Sequence, residues 1–285
     1  MTDSADDDQP GSSKRFAFGA NWTQFLTVLN DDRIQIARQS VQTLLQQEDL
    51  SGKSLLDIGS GSGLFSLAAH QLGATVTSFD FDPQSVACTQ ELRRRYAADS
   101  DRWTICQGSV LDADFLKTLS NFDVVYSWGV LHHTGDLWQA LRNASSLVRP
   151  EGLLAISIYN DQGSWSRRWT FLKRTYNRLP DFLKPVFAVA VMGSRELWYL
   201  LLDTIRLRPW NYFRNIANYS RGSLRGMSYW YDLKDWIGGY PFQVARPEEI
   251  FDFFRREGFV LEKLSTCGGG HGCNEFLFRR KMPSA

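Results

Sequence analysis

Between Lys53 and Tyr159, short apolar runs alternate with helical segments, and this alternation constrains the fold more than any other feature of the chain. Ser54–Ile58, Thr75–Phe79, Arg102–Gln107, Phe122–Ser127 and Gly152–Tyr159 read as strands. Helices fall between them over Leu64–Gln71, from Asp82-Pro83 onward, and over Leu137–Val148. Asp82 is an N-cap candidate, with Pro83 at the first helical position. An earlier helix carries Ile34, Ala37, Val41, Leu44 and Leu45 on one face, and Asp31 and Asp32 stand where a cap is needed. Strand–helix–strand units cross over with a right hand, which makes a parallel sheet covered on both faces. Phe259–Thr266 and Glu275–Arg280 are two further strands. The loop between them, Cys267–Asn274, is too short for a parallel crossover, so this pair is expected to be an antiparallel hairpin. The expected fold class is therefore α/β, a three-layer sheet of seven strands with the last antiparallel.

Ser164–Trp230 interrupts that pattern. It holds twelve Arg and Lys residues against three acids, with Trp165, Trp169, Trp198, Trp210 and Trp230 among them. Pro180, Pro185 and Pro209 are expected to divide it into short helices, and the segment reads as a helical cap insertion. The expected organisation is a tail over 1–14, N-terminal cap helices over 15–50, and an α/β core over 51–163. The cap insertion follows over 164–240, and the rest of the core over 241–285. The first thirteen residues are polar and acidic without an apolar stretch, so a cytoplasmic, reducing compartment is the expectation and the four cysteines are read as free thiols. Val186–Met192 is too short to span a bilayer. The net charge of +1 argues against a nucleic-acid binder acting through the whole surface.

The chemistry centres on Asp57-Ile58-Gly59-Ser60-Gly61-Ser62-Gly63, where the first strand turns into a helix. Glycines permit a tight turn and close approach of a ligand to the backbone. A dinucleotide turn has a third glycine where this chain has Leu64, so the pattern is D-x-G-x-G-x-G instead. That turn, followed by Asp80 at the end of the second strand, Ser127-Trp128-Gly129-Val130-Leu131-His132-His133 after the fourth, and Arg149-Pro150-Glu151-Gly152 before the fifth, resembles the class I S-adenosylmethionine-dependent methyltransferases. The likeness is nearest to the ubiquinone-type small-molecule enzymes and covers residues 53–159 and 245–281. It implies a Rossmann-like fold with S-adenosylmethionine as cofactor. It places Asp57, Gly59, Ser60, Gly61, Gly63 and Leu64 at the methionine moiety, Asp80 and Phe81 at the ribose, and Gly108, Ser109 and Val110 at the adenine. Ser127 and Trp128 would face the sulfonium. Where this family often has an acid after the glycine of the third strand, this chain has Ser109.

His132 and His133 are the candidate catalytic bases, because a neutral imidazole can take a proton from an acceptor hydroxyl. Phe18, Trp22, Tyr159, Asn160, Tyr229 and His271 are candidate substrate contacts. The spacing Cys267, His271, Cys273 crowds three ligands into one tight loop, and no metal is expected there. The expected function is methyl transfer, most simply O-methylation, to a small-molecule, sugar-like or lipid-like acceptor. The basic aromatic insertion also suits peripheral contact with an anionic membrane or a lipid-linked substrate. An RNA methyltransferase is the alternative, since arginines and stacked aromatics bind single strands.

Overall fold

The structure is a computed structural model that describes residues 16, 18–218, 233, 236–270 and 272–282. Strands β1 (Ser54–Ile58), β2 (Thr75–Asp80), β3 (Trp103–Gln107), β4 (Phe122–Trp128) and β5 (Val148–Tyr159) are joined by β6 (Phe259–Ser265) and β7 (Cys273–Arg280). Together they form a seven-stranded sheet in the order β3-β2-β1-β4-β5-β7-β6. Strand β7 runs antiparallel to both its neighbours, and the pairs from β3 across to β5 are parallel. The hairpin is thus where the sequence placed it; its tight loop keeps β6 and β7 adjacent, and β7 is the strand that pairs with β5.

Successive side chains of a strand point to opposite faces, and here they part into two cores. Leu55, Val124, Tyr126, Leu153 and Ala155 pack beneath α1 (Phe18–Phe25), α2 (Asp31–Leu45), α3 (Leu64–Gln71) and α4 (Pro83–Tyr96). Leu56, Ile58, Val125, Leu154 and Ile156 pack beneath α5 (Ala113–Lys117), α6 (Leu137–Ser146) and, near the chain's end, a helix over Pro247–Arg256. Strands buried on both faces have no polar side to alternate with, which is why they read as continuous apolar runs.

Local chemistry departs from expectation at several points. Helix α2 is capped by Asn30, whose side-chain oxygen accepts the Arg33 N–H at 3.0 Å. Asp31 and Asp32 stand in its first turn instead, beside the positive end of the helix. Strand β5 begins at Val148, four residues before the expected start, with an irregularity in its pairing to β4 around Phe122 and Val124. The cap insertion forms α7 (Ser164–Arg178), α8 (Lys184–Ile205) and α9 (Trp210–Ala217), and the Pro247–Arg256 helix is α10. Pro180 and Pro209 fall between helices, but Pro185 sits in the first turn of α8, where a missing N–H costs nothing. Helix α8 starts there and runs for 22 residues, well past the apolar stretch Val186–Met192. Among the described residues it is the one helix long and apolar enough, by length and composition, to cross a membrane.

At the lower edge of the sheet, the Asp123 carboxylate accepts the Ser54 N–H at 2.8 Å and the Ser54 hydroxyl at 2.7 Å, and pairs with Arg149 at 3.1 Å. It ties together the ends of β1, β4 and β5. Burial works against ionisation, but the Ser54 donors and the Arg149 guanidinium outweigh it and hold this carboxyl below its usual range. A depressed carboxylate contributes stability above its unfolded pKa and loses it as pH falls. Asp123→Asn is expected to destabilise the fold by about 1–3 kcal/mol at neutral pH, a difference that shrinks below about pH 4. Urea unfolding of both proteins across that range measures it.

Candidate active site

Strand β1 runs out at Ile58, and the chain turns through Gly59–Gly63 before α3 begins at Leu64. Gly61 takes φ +55°, and a Cβ there would lie 3.0 Å from the Trp22 indole that α1 lays over the turn. Gly63 takes φ +79°, and a Cβ there would meet the Thr89 backbone of α4 at 2.9 Å. Glycine thus permits both the left-handed bend and the close seating of α1 and α4 on it.

Asp80 ends β2, the parallel neighbour of β1, and its carboxylate reaches across to accept the Gly61 N–H at 2.9 Å. Its other oxygen accepts the Asp82 N–H at 2.9 Å. Burial pushes this carboxyl up to about 6, against the pull of those backbone donors. Asp57 does a different job. It is buried beneath the turn, where it accepts the Ser66 hydroxyl at 2.5 Å. Ser66 in turn bonds Ser78 at 2.7 Å, and Ser78 accepts the Trp103 indole N–H at 2.9 Å. This buried polar chain props the turn from below.

A cavity of about 1260 Å³ opens at the carboxyl ends of the strands. Gly59, Ser60, Gly61, Asp80 and Phe81 line one end, and Gly108, Ser109 and Val110 one side. Trp128, His133 and Tyr159 stand opposite, with Phe18 and Trp22 closing over from α1. The structure does not bring Asp57, Gly63, Leu64, Ser127, His132 or Asn160 to this lining. Ser127 donates to the Ile58 carbonyl at 3.0 Å and clamps β4 to β1. Asn160 accepts from Asn274 at 3.0 Å and steadies the β7 hairpin. Tyr229 and His271 lie outside the described residues.

The adjacent histidines, in a single helical turn over Leu131–His133, face different surroundings. His132 is fully buried, and its Nδ1 lies 3.4 Å from the Tyr159 backbone N–H. The Nδ1 of His133 lies 2.6 Å from the Pro241 carbonyl. A carbonyl only accepts, so Nδ1 carries the proton and Nε2 is left as the ring's acceptor. Burial, with the charge of Lys173 behind it, pushes His133 down to about 3, and His132 is held well below the usual range by burial, His133 and Lys173. Both rings are therefore neutral at physiological pH.

Lys173 was legible only as one more cation of the insertion. It is fully buried on α7, its ammonium donates to the Trp236 carbonyl, and it sits 4.7 Å from the ring centres of both Trp236 and Phe242. Aromatic faces compensate part of the desolvation of such a charge. Sequence reading also missed a cavity wall on α8. Arg195, Glu196, Tyr199, Leu202, Asp203 and Arg206 recur at helical spacing and turn one face inward. Arg195 pairs with Glu196 at 2.6 Å, and the Tyr212 hydroxyl donates to Glu196 at 3.2 Å. Removing the Lys173 charge as Lys173→Met is expected to raise the pKa of His133, yet leave it under 6.5, because burial is the larger cause. An NMR titration of the imidazole signals gives the direction of the change.

A family model described as a methyltransferase domain matches residues 56–154. The ubiquinone biosynthesis O-methyltransferase of Glaesserella parasuis is 34% identical over 116 residues, which are 39% of this chain and 47% of that protein. The enzyme of the same description from Xanthomonas oryzae is 27% identical over 182 residues, 60% of this chain and 72% of the relative. The chain thus spans about half the length of the first of these relatives and nearly three quarters of the second. An O-methyltransferase family protein from Burkholderia thailandensis shares the fold with a TM-score of 0.54 at 14% identity, over 96% of this chain and 66% of that one. Magnesium protoporphyrin IX methyltransferase from Synechocystis, solved with bound S-adenosylmethionine, does so at 0.50 and 13% identity, over 87% and 79%. With the sheet order and the glycine turn, these matches identify residues 56–154 as a methyltransferase domain.

Proposed function

We propose that this chain transfers a methyl group from S-adenosylmethionine to the oxygen of a small-molecule acceptor, sugar-like or lipid-like. The observation that carries this reading is a single cavity that joins the glycine turn and Asp80 at one end to His133 and the wall of α8 at the other. The residues present suit the cofactor. A carboxylate at the tip of β2 can accept from both vicinal ribose hydroxyls, the turn offers backbone to the amino-acid portion, and the loop at Gly108–Val110 is a side wall for the adenine. Ser109 Oγ already accepts the Leu111 N–H at 3.1 Å, so its hydroxyl proton is free to point toward a ring nitrogen. Names of the relatives support oxygen as the acceptor atom. The RNA alternative gains no support from them.

When bound, the cofactor supplies an electrophilic methyl carbon on a positively charged sulfur. The acceptor oxygen forms its new bond to that carbon as the carbon–sulfur bond breaks, and the electron pair stays on sulfur. His133 serves this step through Nε2, which accepts the acceptor's hydroxyl proton while Nδ1 stays held by Pro241. A ring so reluctant to be charged takes the proton only as the oxygen becomes cationic, so aiming the oxygen lone pair is the larger part of its contribution. Trp128 donates its indole N–H to Glu275 at 2.7 Å, which fixes the wall beside the reacting atoms. Phe18 and Trp22 keep water out from above.

Asp80→Ala is expected to weaken S-adenosylhomocysteine binding by roughly 10–100-fold, on the scale of hydrogen bonds to a charged group. Because the raised carboxyl titrates near 6, the native affinity should fall as pH drops from 7.5 toward 5.5, and the variant should lose that slope. Calorimetry across pH measures both, and an unchanged affinity in the variant would remove Asp80 from the site. His133→Asn keeps a donor near the Nδ1 position but has no Nε2. It is expected to slow turnover by about 100-fold at constant cofactor affinity. S-adenosylhomocysteine release in the presence of a small-molecule cell extract reads the rate. Mass spectrometry of that extract, seeking species heavier by one methylene, identifies the acceptor.

A further inference from the structure

Helix α8 has two unlike faces. Its inner face lines the cavity through Arg195, Glu196, Tyr199 and Asp203, and packs Met192 against Trp169 of α7. Its outer face presents Val186, Val189, Leu197, Trp198, Leu201 and Ile205, all exposed, with Val189 74% and Ile205 76% accessible. The apolar surface continues past the helix end through Leu207, which is 89% accessible, to Trp210, which is 79% accessible. Scattered apolar residues on a surface are ordinary, but a contiguous stripe of this length is not.

The charges around the stripe say what covers it. Arg206, Arg208 and Arg214 are exposed at its carboxyl end, and Arg174 and Arg178 are exposed on the neighbouring α7. Among the described residues the exposed acids near them are few, with Asp181 at the amino end of α8. Tryptophan and leucine flanked by arginine is the composition of a helix that lies in the plane of an anionic bilayer. The apolar stripe enters the acyl boundary, and guanidinium groups stay with the phosphates. The helix does not cross, because its inner face is fixed to the protein and bears the Arg195–Glu196 pair. A second copy of the chain would have to bring these same cations together at the contact, which like-charge repulsion opposes.

We propose that α8 and the start of α9 form a docking surface for a membrane rich in acidic phospholipids, seated so that the cavity wall on the inner face of α8 lies directly above the lipid. An acceptor with an apolar tail then reaches the site from the bilayer, along the helix that is both anchor and wall.

The test is co-sedimentation of the full chain with phosphatidylcholine vesicles, with and without phosphatidylglycerol, in the absence of cofactor and acceptor. Its outcome is therefore independent of the methyl-transfer reading. Binding is expected to vesicles containing phosphatidylglycerol, to fall with rising salt, and to be weak on phosphatidylcholine alone. Leu201→Ser with Ile205→Ser is expected to weaken it by roughly tenfold or more, on the scale of two buried aliphatic side chains. Both residues are exposed, so the thermal midpoint should not move, and circular dichroism shows that the variant is folded. A second variant, Arg208→Gln with Arg214→Gln, is expected to lose the preference for the acidic lipid while keeping the weak binding to the neutral one. No binding to acidic vesicles, equal binding by the aliphatic variant, or a dimer in light scattering that the aliphatic substitutions dissolve would each overturn the proposal.

Discussion

A carboxylate buried at the tip of a strand costs free energy unless donors meet it, and the arrangement around Asp80 turns that cost into a site. The donors come from the glycine turn and from Asp82. Asp82 then caps α4 through the Gln84 N–H at 2.9 Å and accepts the Gly19 N–H of α1 at 2.8 Å. One short run of acids thus positions the turn, the helix behind it and the helix that lies over it. The backbone donors are too few to bring the Asp80 carboxyl to its usual range, and it stays near 6. Ribose hydroxyls would supply what is missing, so ligand binding and relief of an electrostatic penalty become the same event.

The opposite wall obeys a related rule with the sign reversed. Burial, reinforced by the charge of Lys173, keeps both imidazoles neutral, and a backbone carbonyl fixes the proton of one of them. Ring faces and a backbone carbonyl meet the lysine's ammonium. The protein also avoids a strong base near a sulfonium, where positioning of the acceptor does most of the work.

Much of this was legible in the sequence, and the reasons differ by region. Short apolar runs such as Leu55-Leu56-Asp57-Ile58 have few alternatives once they alternate with helices, so the strands, their order of appearance and the final hairpin could be read directly. The glycine turn and Asp80 were legible because both sit at fixed places relative to strand ends. What escaped depends on contacts far apart in the chain. Nothing in the residues 132 and 133 says that one ring meets the Pro241 carbonyl and the other lies behind Tyr159. Lys173 owes its burial to Trp236 and Phe242, more than sixty residues on. The insertion was expected to form short helices, whereas α8 runs for 22 residues between Pro185 in its first turn and Pro209 beyond its end. Asn30 outcompeted two aspartates as a cap because only its side chain reaches the Arg33 N–H.

The central claim is that the crevice over the glycine turn holds an adenosyl amino acid between Asp80 and His133. A crystal structure with S-adenosylhomocysteine bound tests it most directly. Both ribose hydroxyls are expected within hydrogen-bond distance of the Asp80 carboxylate, with the sulfur turned toward the part of the cavity that His133 and Tyr159 line. Density for the nucleoside in any other place, or with its ribose away from Asp80, would contradict it.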